Sequence, residues 1–286
     1  GRRRTRRVGC RGRPLPACHQ IDDIVKMKRN KMKKIVALVA VLFSVVVPVQ
    51  SQAADTKSLV IIDSYFQSNV AQGAITPTGA ACAQSKPIAN AKASDPYNHG
   101  TAMYAVAKLQ NPKLNIIPIC GANATTEMTP AMFISTLTWV NNNSSNVGAV
   151  SFSRFFNHAS KPCMPTASAP YTPDTANNEI KRLLSALNSK GIKVFVSTGN
   201  TVGKPVNYPA CLVETESVAH ADDKGNAMGQ SDANTDYFAR LSLDGSKWVY
   251  NTSFGAVSQT SSSATAAVAS MWVTANTPKG IVNPIS

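Results

Sequence analysis

Histidine is scarce in this chain: 286 residues contain four, so chemistry that needs an imidazole has few places to sit. Metal-ligand spacing is missing too, since there is no Cys-x-x-Cys and no Cys/His pair at finger spacing, which excludes an ordinary zinc site. The apolar run Ile35 to Val49 spans about 15 residues, short of the roughly 20 that cross a membrane. Internal repeats and low-complexity tracts are absent, which excludes solenoids and linker arrays. Acids are few, 15 against 29 Lys and Arg. That imbalance is local: residues 1–53 hold thirteen of the basic residues and only two acids, Asp22 and Asp23, and the remainder carries +3. The charge is therefore no argument for a nucleic-acid-binding domain.

The front end has its own explanation. Met32-Lys33-Lys34, the apolar run, and then Ser51-Gln52-Ala53 have the basic start, apolar centre and small-residue cleavage site of a secretory signal peptide. Cleavage is expected after Ala53, with Ala54 as the second choice. Residues 1–31 lie upstream and are read as an over-extended gene start, with Met32 or Met27 as the first residue. The expected organisation is thus an upstream segment at 1–31, a signal peptide at 32–53 and one domain at 54–286, secreted or periplasmic. The exported part keeps Cys82, Cys120, Cys163 and Cys211, an even count that in an oxidising compartment predicts two disulfides in one of three pairings.

Within the domain, Leu59-Val60-Ile61-Ile62 is a continuous apolar run, the pattern of a strand buried on both faces, and it ends in Asp63-Ser64. Residues 67–95 read as surface connection pinned through Cys82. Leu114–Ile119 predicts a second strand, with Pro118 marking its end, and Val147–Phe152 a third. Spacing of Met132, Leu137 and Val140 predicts a helix over 128–141. Ile180, Leu183, Leu184 and Leu187 form one stripe of a helix over 174–189 that Gly191 stops. Lys193–Val196 predicts a fourth strand, followed by Ser197-Thr198-Gly199-Asn200. Shorter strands are expected at 217–221, 237–243 and 248–250, with a turn at Asp222–Asn226. Thr260–Ser263 leads into Ala264–Trp272, a small-residue helix fit for full burial. Strands alternating with helices in this way predict an α/β fold, three αβα layers with a mostly parallel central sheet and helices on both faces.

In such sheets ligand sites gather at the carboxyl ends of the strands, where Asp63 and Asn200 fall. His99 opens a helix in Asn98-His99-Gly100-Thr101-Ala102-Met103. A serine hydroxyl becomes a nucleophile when a base takes its proton, the base needs a carboxylate to fix its tautomer, and the tetrahedral intermediate needs hydrogen-bond donors. Asp63, His99, Asn200 and a serine at the last helix start supply these roles. His158 and His220 read as structural.

At these residues the chain resembles the subtilisin-like serine peptidases, from about Leu59 to Trp272. The aspartate strand, the His-Gly-Thr helix start, Val194–Asn200 followed by Tyr208-Pro209-Ala210, and Ser217–Asp222 with Gly225-Asn226 each resemble a family segment. Thr260-Ser261-Ser262-Ser263-Ala264 is similar, more loosely, to the Gly-Thr-Ser-Met-Ala nucleophile motif. The resemblance implies Asp63 as orienting acid, His99 as base, Asn200 as oxyanion donor and Ser262 as nucleophile. That last choice follows from aligning Val268-Ala269-Ser270 with the family's Val-Ala-Gly; aligning Thr260 with the family's threonine picks Ser261 instead. The sequence departs from the family at Tyr65, Ser263 and Ala266, and at Ser153-Arg154-Phe155-Phe156, where two phenylalanines are expected to crowd an edge that pairs with extended peptide.

The expected function is an exported serine endopeptidase; the alternative is a catalytically relaxed protein of the same fold that binds peptide or a protein partner, and a third reading is an esterase-like hydrolase. This chemistry requires no cofactor, and a structural calcium is not readable from the residues. The partner is a polypeptide substrate, with no nucleic acid, no membrane after signal-peptide removal, and a monomer expected.

Overall fold

The computed structural model describes residues 57–64, 66, 74–77, 99–121, 128–154, 156, 163–222, 224–239, 249–252, 255–275 and 281–282. The chain divides after Ala54, and all described residues belong to the unit Asp55–Ser286. Cys82, Tyr65, Phe155 and His158, and the segment 1–53 with its expected signal peptide, lie outside the described residues.

Six runs, most of them β-branched or aliphatic, become adjacent strands. β1 (Ser58–Asp63), β2 (Ile116–Cys120), β3 (Val147–Phe152), β4 (Lys193–Ser197), β5 (Glu216–His220) and β6 (Tyr237–Ala239) are parallel, in the order β2-β1-β3-β4-β5-β6. β7 (Val249–Thr252) and β8 (Gly255–Ser258) form a separate antiparallel pair, and β9 (Ile281–Val282) adds antiparallel to β6. Between them run α1 (His99–Gln110), α2 (Pro130–Asn142), α3 (Pro173–Ser189) and α4 (Ser261–Ala275).

Alternation along each strand separates two cores. Val60, Ile62, Val150, Phe152, Val194 and Val196 face α2 and α3, meeting Phe133, Leu137, Ile180 and Leu184. Leu59, Ile61, Ala149 and Phe195 face the other way, onto Met103 and Val106 of α1 and Ala264, Ala267 and Val268 of α4. Every β1 residue is buried, as a strand covered by helices on both faces must be. The three-layer α/β architecture expected from the sequence is the one observed.

Two local expectations change. Pro118 does not end its strand; it pairs with Ile61 in mid-strand. Residues 115 and 121 bond to β1, whereas the backbones of Pro118 and Cys120 turn outward to Ile75, which donates to Pro118 O and accepts from Cys120 N. The missing N–H therefore falls on the outer side, where a proline costs no ladder bond. Phe156 does not crowd the sheet edge. It is fully buried and packs with Phe133, Phe152 and Tyr208, at ring-centroid distances of 5.4, 5.9 and 5.6 Å.

Candidate active site

β1 delivers Asp63 to the carboxyl end of the sheet with no solvent exposure. A carboxylate there needs partners, because an unpaired buried charge is costly. Its Oδ1 accepts from the Ser64 backbone N–H at 2.6 Å, and both oxygens meet His99 Nδ1, at 2.7 and 2.9 Å. Arg154 Nε stands 3.3 Å from the same Oδ1. Burial is the largest influence on the carboxyl and raises its pKa, but His99, Arg154 and the Ser64 N–H together outweigh it and hold Asp63 below the ordinary value. Asp63 is therefore the anion that keeps the proton of neutral His99 on Nδ1. In that tautomer Nε2 carries the lone pair and makes no hydrogen bond among the described residues, the state a general base needs.

α4 begins one turn earlier than the small-residue run suggests. Thr260 is its cap: Thr260 Oγ1 accepts from Ser263 N at 3.3 Å, and Ser263 Oγ accepts from Thr260 N at 2.8 Å. This reciprocal box puts Ser261, Ser262 and Ser263 in the first helical turn, where backbone N–H groups have no intrahelical acceptor. Ser261 N donates to Asn200 Oδ1 at 2.9 Å. The Ser262 N–H alone of these three meets no acceptor among the described residues.

Asn200 follows β4 through a turn that only glycine can make. Gly199 has φ +115°, and a Cβ there would lie 1.6 Å from Gln230 Oε1. Gln230 N donates to Gly199 O at 3.1 Å, Asn207 N donates to Thr198 O at 3.0 Å, and Gln230 Nε2 donates to Asn207 Oδ1 at 2.9 Å. This buried amide network fixes the turn. A backbone N–H can only donate, so the Asn200 atom facing Ser261 N is the oxygen, and Nδ2 meets no acceptor among the described residues. Two unoccupied donors, Asn200 Nδ2 and Ser262 N–H, thus flank the start of α4.

The two candidate serines differ. Ser261 is 1% exposed, and its hydroxyl donates to Asn200 Oδ1 at 2.8 Å and accepts from Gly199 N at 3.2 Å, so both its roles are taken. Ser262 is 6% exposed and donates to Ser153 O at 3.3 Å, while Ser153 Oγ donates back to Ser262 O at 3.1 Å. The structure thus joins Asp63 to His99 and Asn200 to Ser261. No hydrogen bond links His99 to Ser261 or Ser262 among the described residues. Ser153 and Arg154, to which the sequence reading gave no role, tie the two halves: one touches Ser262 and the next touches Asp63. Their position straight after a central strand was the available signal.

Elsewhere, a cavity of about 600 Å³ opens at the amino ends of β5 and β6, beside Ser217 and Asp236, away from these groups. Among the described residues no cluster of His, Cys, Asp or Glu could hold a metal ion, and no helix is long and apolar enough to cross a membrane. Cys163 and Cys211 form a disulfide, and Cys120 is also disulfide-bonded.

No protein family and no curated protein matches the sequence. Solved structures do match in fold. An epidermin leader peptide processing serine protease (EpiP) from Staphylococcus aureus superimposes with a TM-score of 0.54 at 12% identity, over 77% of this chain and 64% of that one. A serine-to-alanine mutant of the same protease gives 0.53 over the same shares. A mutant of the protease domain of PatA gives 0.52 at 12% identity, over 77% of this chain and 80% of that one. This chain therefore spans just under two thirds of the EpiP chain, and what it shares with these serine proteases is the α/β fold.

Proposed function

We propose that the chain is an exported subtilisin-like serine endopeptidase, with Asp63 orienting His99, His99 as the base for Ser262, and Asn200 Nδ2 with the Ser262 N–H as oxyanion donors. The carrying observation is the Asp63–His99 pair, whose carboxylate is buried and ionised and whose Nε2 makes no hydrogen bond among the described residues, at the strand ends that also bear two donors without an acceptor among those residues. In the reaction, Nε2 takes the Ser262 hydroxyl proton as Oγ attacks the peptide carbonyl. Asp63 stabilises the imidazolium, and the carbonyl oxygen, now negative, moves between the two donors. His99 then returns the proton to the leaving amine, and water repeats the sequence on the acyl-enzyme. Ser262 is preferred to Ser261 because Ser261 is committed to Asn200 and Gly199. Export rests on the signal-peptide pattern of residues 32–53, and the Cys163–Cys211 disulfide suits an oxidising compartment.

A second reading has one observation in its favour. Ser262 Oγ is bonded to Ser153 O rather than to His99, as it would be in a protein of this fold that binds peptide without turnover. Labelling with a fluorophosphonate serine-hydrolase probe separates the two. Labelling of the wild-type chain, lost in Ser262→Ala and in His99→Ala, is expected; a folded wild-type chain that takes no label would sink the peptidase reading in favour of the binding one.

A further inference from the structure

Arg154 changes the charge balance of this site. In a site of one carboxylate, one imidazole and one serine, the proton that His99 gains comes from the serine, so Asp63 at −1, His99 at +1 and the oxyanion at −1 sum to −1, as they did before the transfer. Here a guanidinium also rests on Asp63, 3.3 Å from Oδ1, on the residue next to Ser153, which exchanges two hydrogen bonds with Ser262. With Arg154 the group sums to zero before the transfer and, counting the oxyanion, after it, and the guanidinium lies beside a carboxylate with no solvent exposure to screen it. A carboxylate brought by the substrate therefore meets a site that is not already negative.

The guanidinium is placed to receive such a group. Its Nε is shielded, and the 3.3 Å approach to Asp63 does not have hydrogen-bond geometry, so Arg154 makes no hydrogen bond among the described residues. The side chain is 26% exposed. Its outer N–H groups therefore form an open fork, the arrangement that takes a carboxylate through two parallel bonds. Nε stays held toward Asp63, so the fork keeps one orientation.

We propose that Arg154 is a substrate-specificity residue that binds a carboxylate of the polypeptide, an Asp or Glu side chain close to the scissile bond. The proposal rests on the peptidase reading for its chemical step but not for its binding step.

Internally quenched peptides that differ only in Glu against Gln at one position near the cleaved bond test it. The wild-type chain is expected to favour Glu at one position by about tenfold or more in kcat/KM, the range of a charge-assisted bond. Arg154→Gln brings the ratio to about one, Arg154→Glu shifts preference to Lys at that position, and Arg154→Lys, which keeps charge without the fork, retains part of the ratio. Fluorescence anisotropy of the same peptides on Ser262→Ala and on Ser262→Ala with Arg154→Gln reads binding without turnover. Cleavage with no Glu preference at any position overturns the Arg154 site and leaves the peptidase standing. Glu-selective binding that Arg154→Gln abolishes, with no cleavage by the wild-type chain, supports the site and overturns the peptidase. Neither cleavage nor selective binding overturns both.

Discussion

Single side chains separate geometry from chemistry most sharply at Asn200. Its oxygen holds the start of α4 through Ser261 N, and its nitrogen meets no acceptor among the described residues. Asn200→Asp keeps the acceptor and removes the donor, so it isolates the oxyanion role. Turnover is expected to fall by about 10²–10³-fold while thermal stability stays close to wild type; unchanged turnover on a cleaved peptide would take Asn200 out of the mechanism. His220 offers a test of pH. It is buried in β5 with Nδ1 unpartnered, and burial lowers its pKa below the ordinary 6.5. The unfolded chain then binds more protons than the folded one over that window. Stability from the neutral ring is full above about pH 6.5 and is lost as pH falls toward the folded value, by no more than about 1.4 kcal/mol per pH unit for one proton. Denaturant titrations at pH 7 and pH 5 are expected to show this slope in the wild type and to lose it in His220→Leu. Asp63 has the same sign at a lower window, since its stabilisation is lost only below about pH 3.8. Asp63, His99 and Asn200 were legible because each stands at a strand end or helix start. Arg154's contact with Asp63 was not, since its place straight after β3 does not name a partner 91 positions away in the chain.

Elements were readable to the degree that one face differed from the other. α3 carries its stripe openly, begins at a capping box on Thr172 and Thr175, and runs Pro173–Ser189, one residue longer than its pattern. α4 has no such contrast. Ser261 to Ser270 are all buried, so its polar and apolar residues alike face protein, and a serine run before an alanine run does not say where the first turn begins. The answer lies in Thr260 and Ser263 capping each other, which needs coordinates. β8 and β9 escaped notice because each is short, four and two residues, and is defined by its partner strand. The small residues of α4 let it run close beneath β3, β4 and β5 and against α1. Ala267, with no exposure, is therefore a site where added volume has nowhere to go. Ala267→Leu is expected to destabilise by about 1–3 kcal/mol, read from denaturant midpoints, whereas a neutral effect would mean the layer is looser than described.

At the scale of the molecule, the alternation of strand and helix predicted the parallel sheet and put the site at its carboxyl edge, but it did not say which cysteines would pair. Two of the four in the domain close a loop of 48 residues, Cys163 to Cys211, that contains α3 and β4. The loop begins beyond Phe156 and ends beyond Tyr208, two residues that pack on each other in the α2–α3 core. The bond thus joins segments that the core already brings together, and most of its effect falls on the unfolded chain, whose freedom it restricts. For a loop of this length the chain-entropy argument gives about 4 kcal/mol, and native bonds commonly contribute about 2–4 kcal/mol. Cys163→Ser with Cys211→Ser is expected to lose that much stability by denaturant titration while Ser262, the proposed nucleophile, with the Asp63–His99 pair carried by β1 and α1 outside the loop, keeps its reactivity toward a fluorophosphonate at low temperature. Loss of labelling in a doubly substituted chain that is still folded would mean the bond instead holds the turn bearing Asn200, which lies inside the loop eleven residues before Cys211.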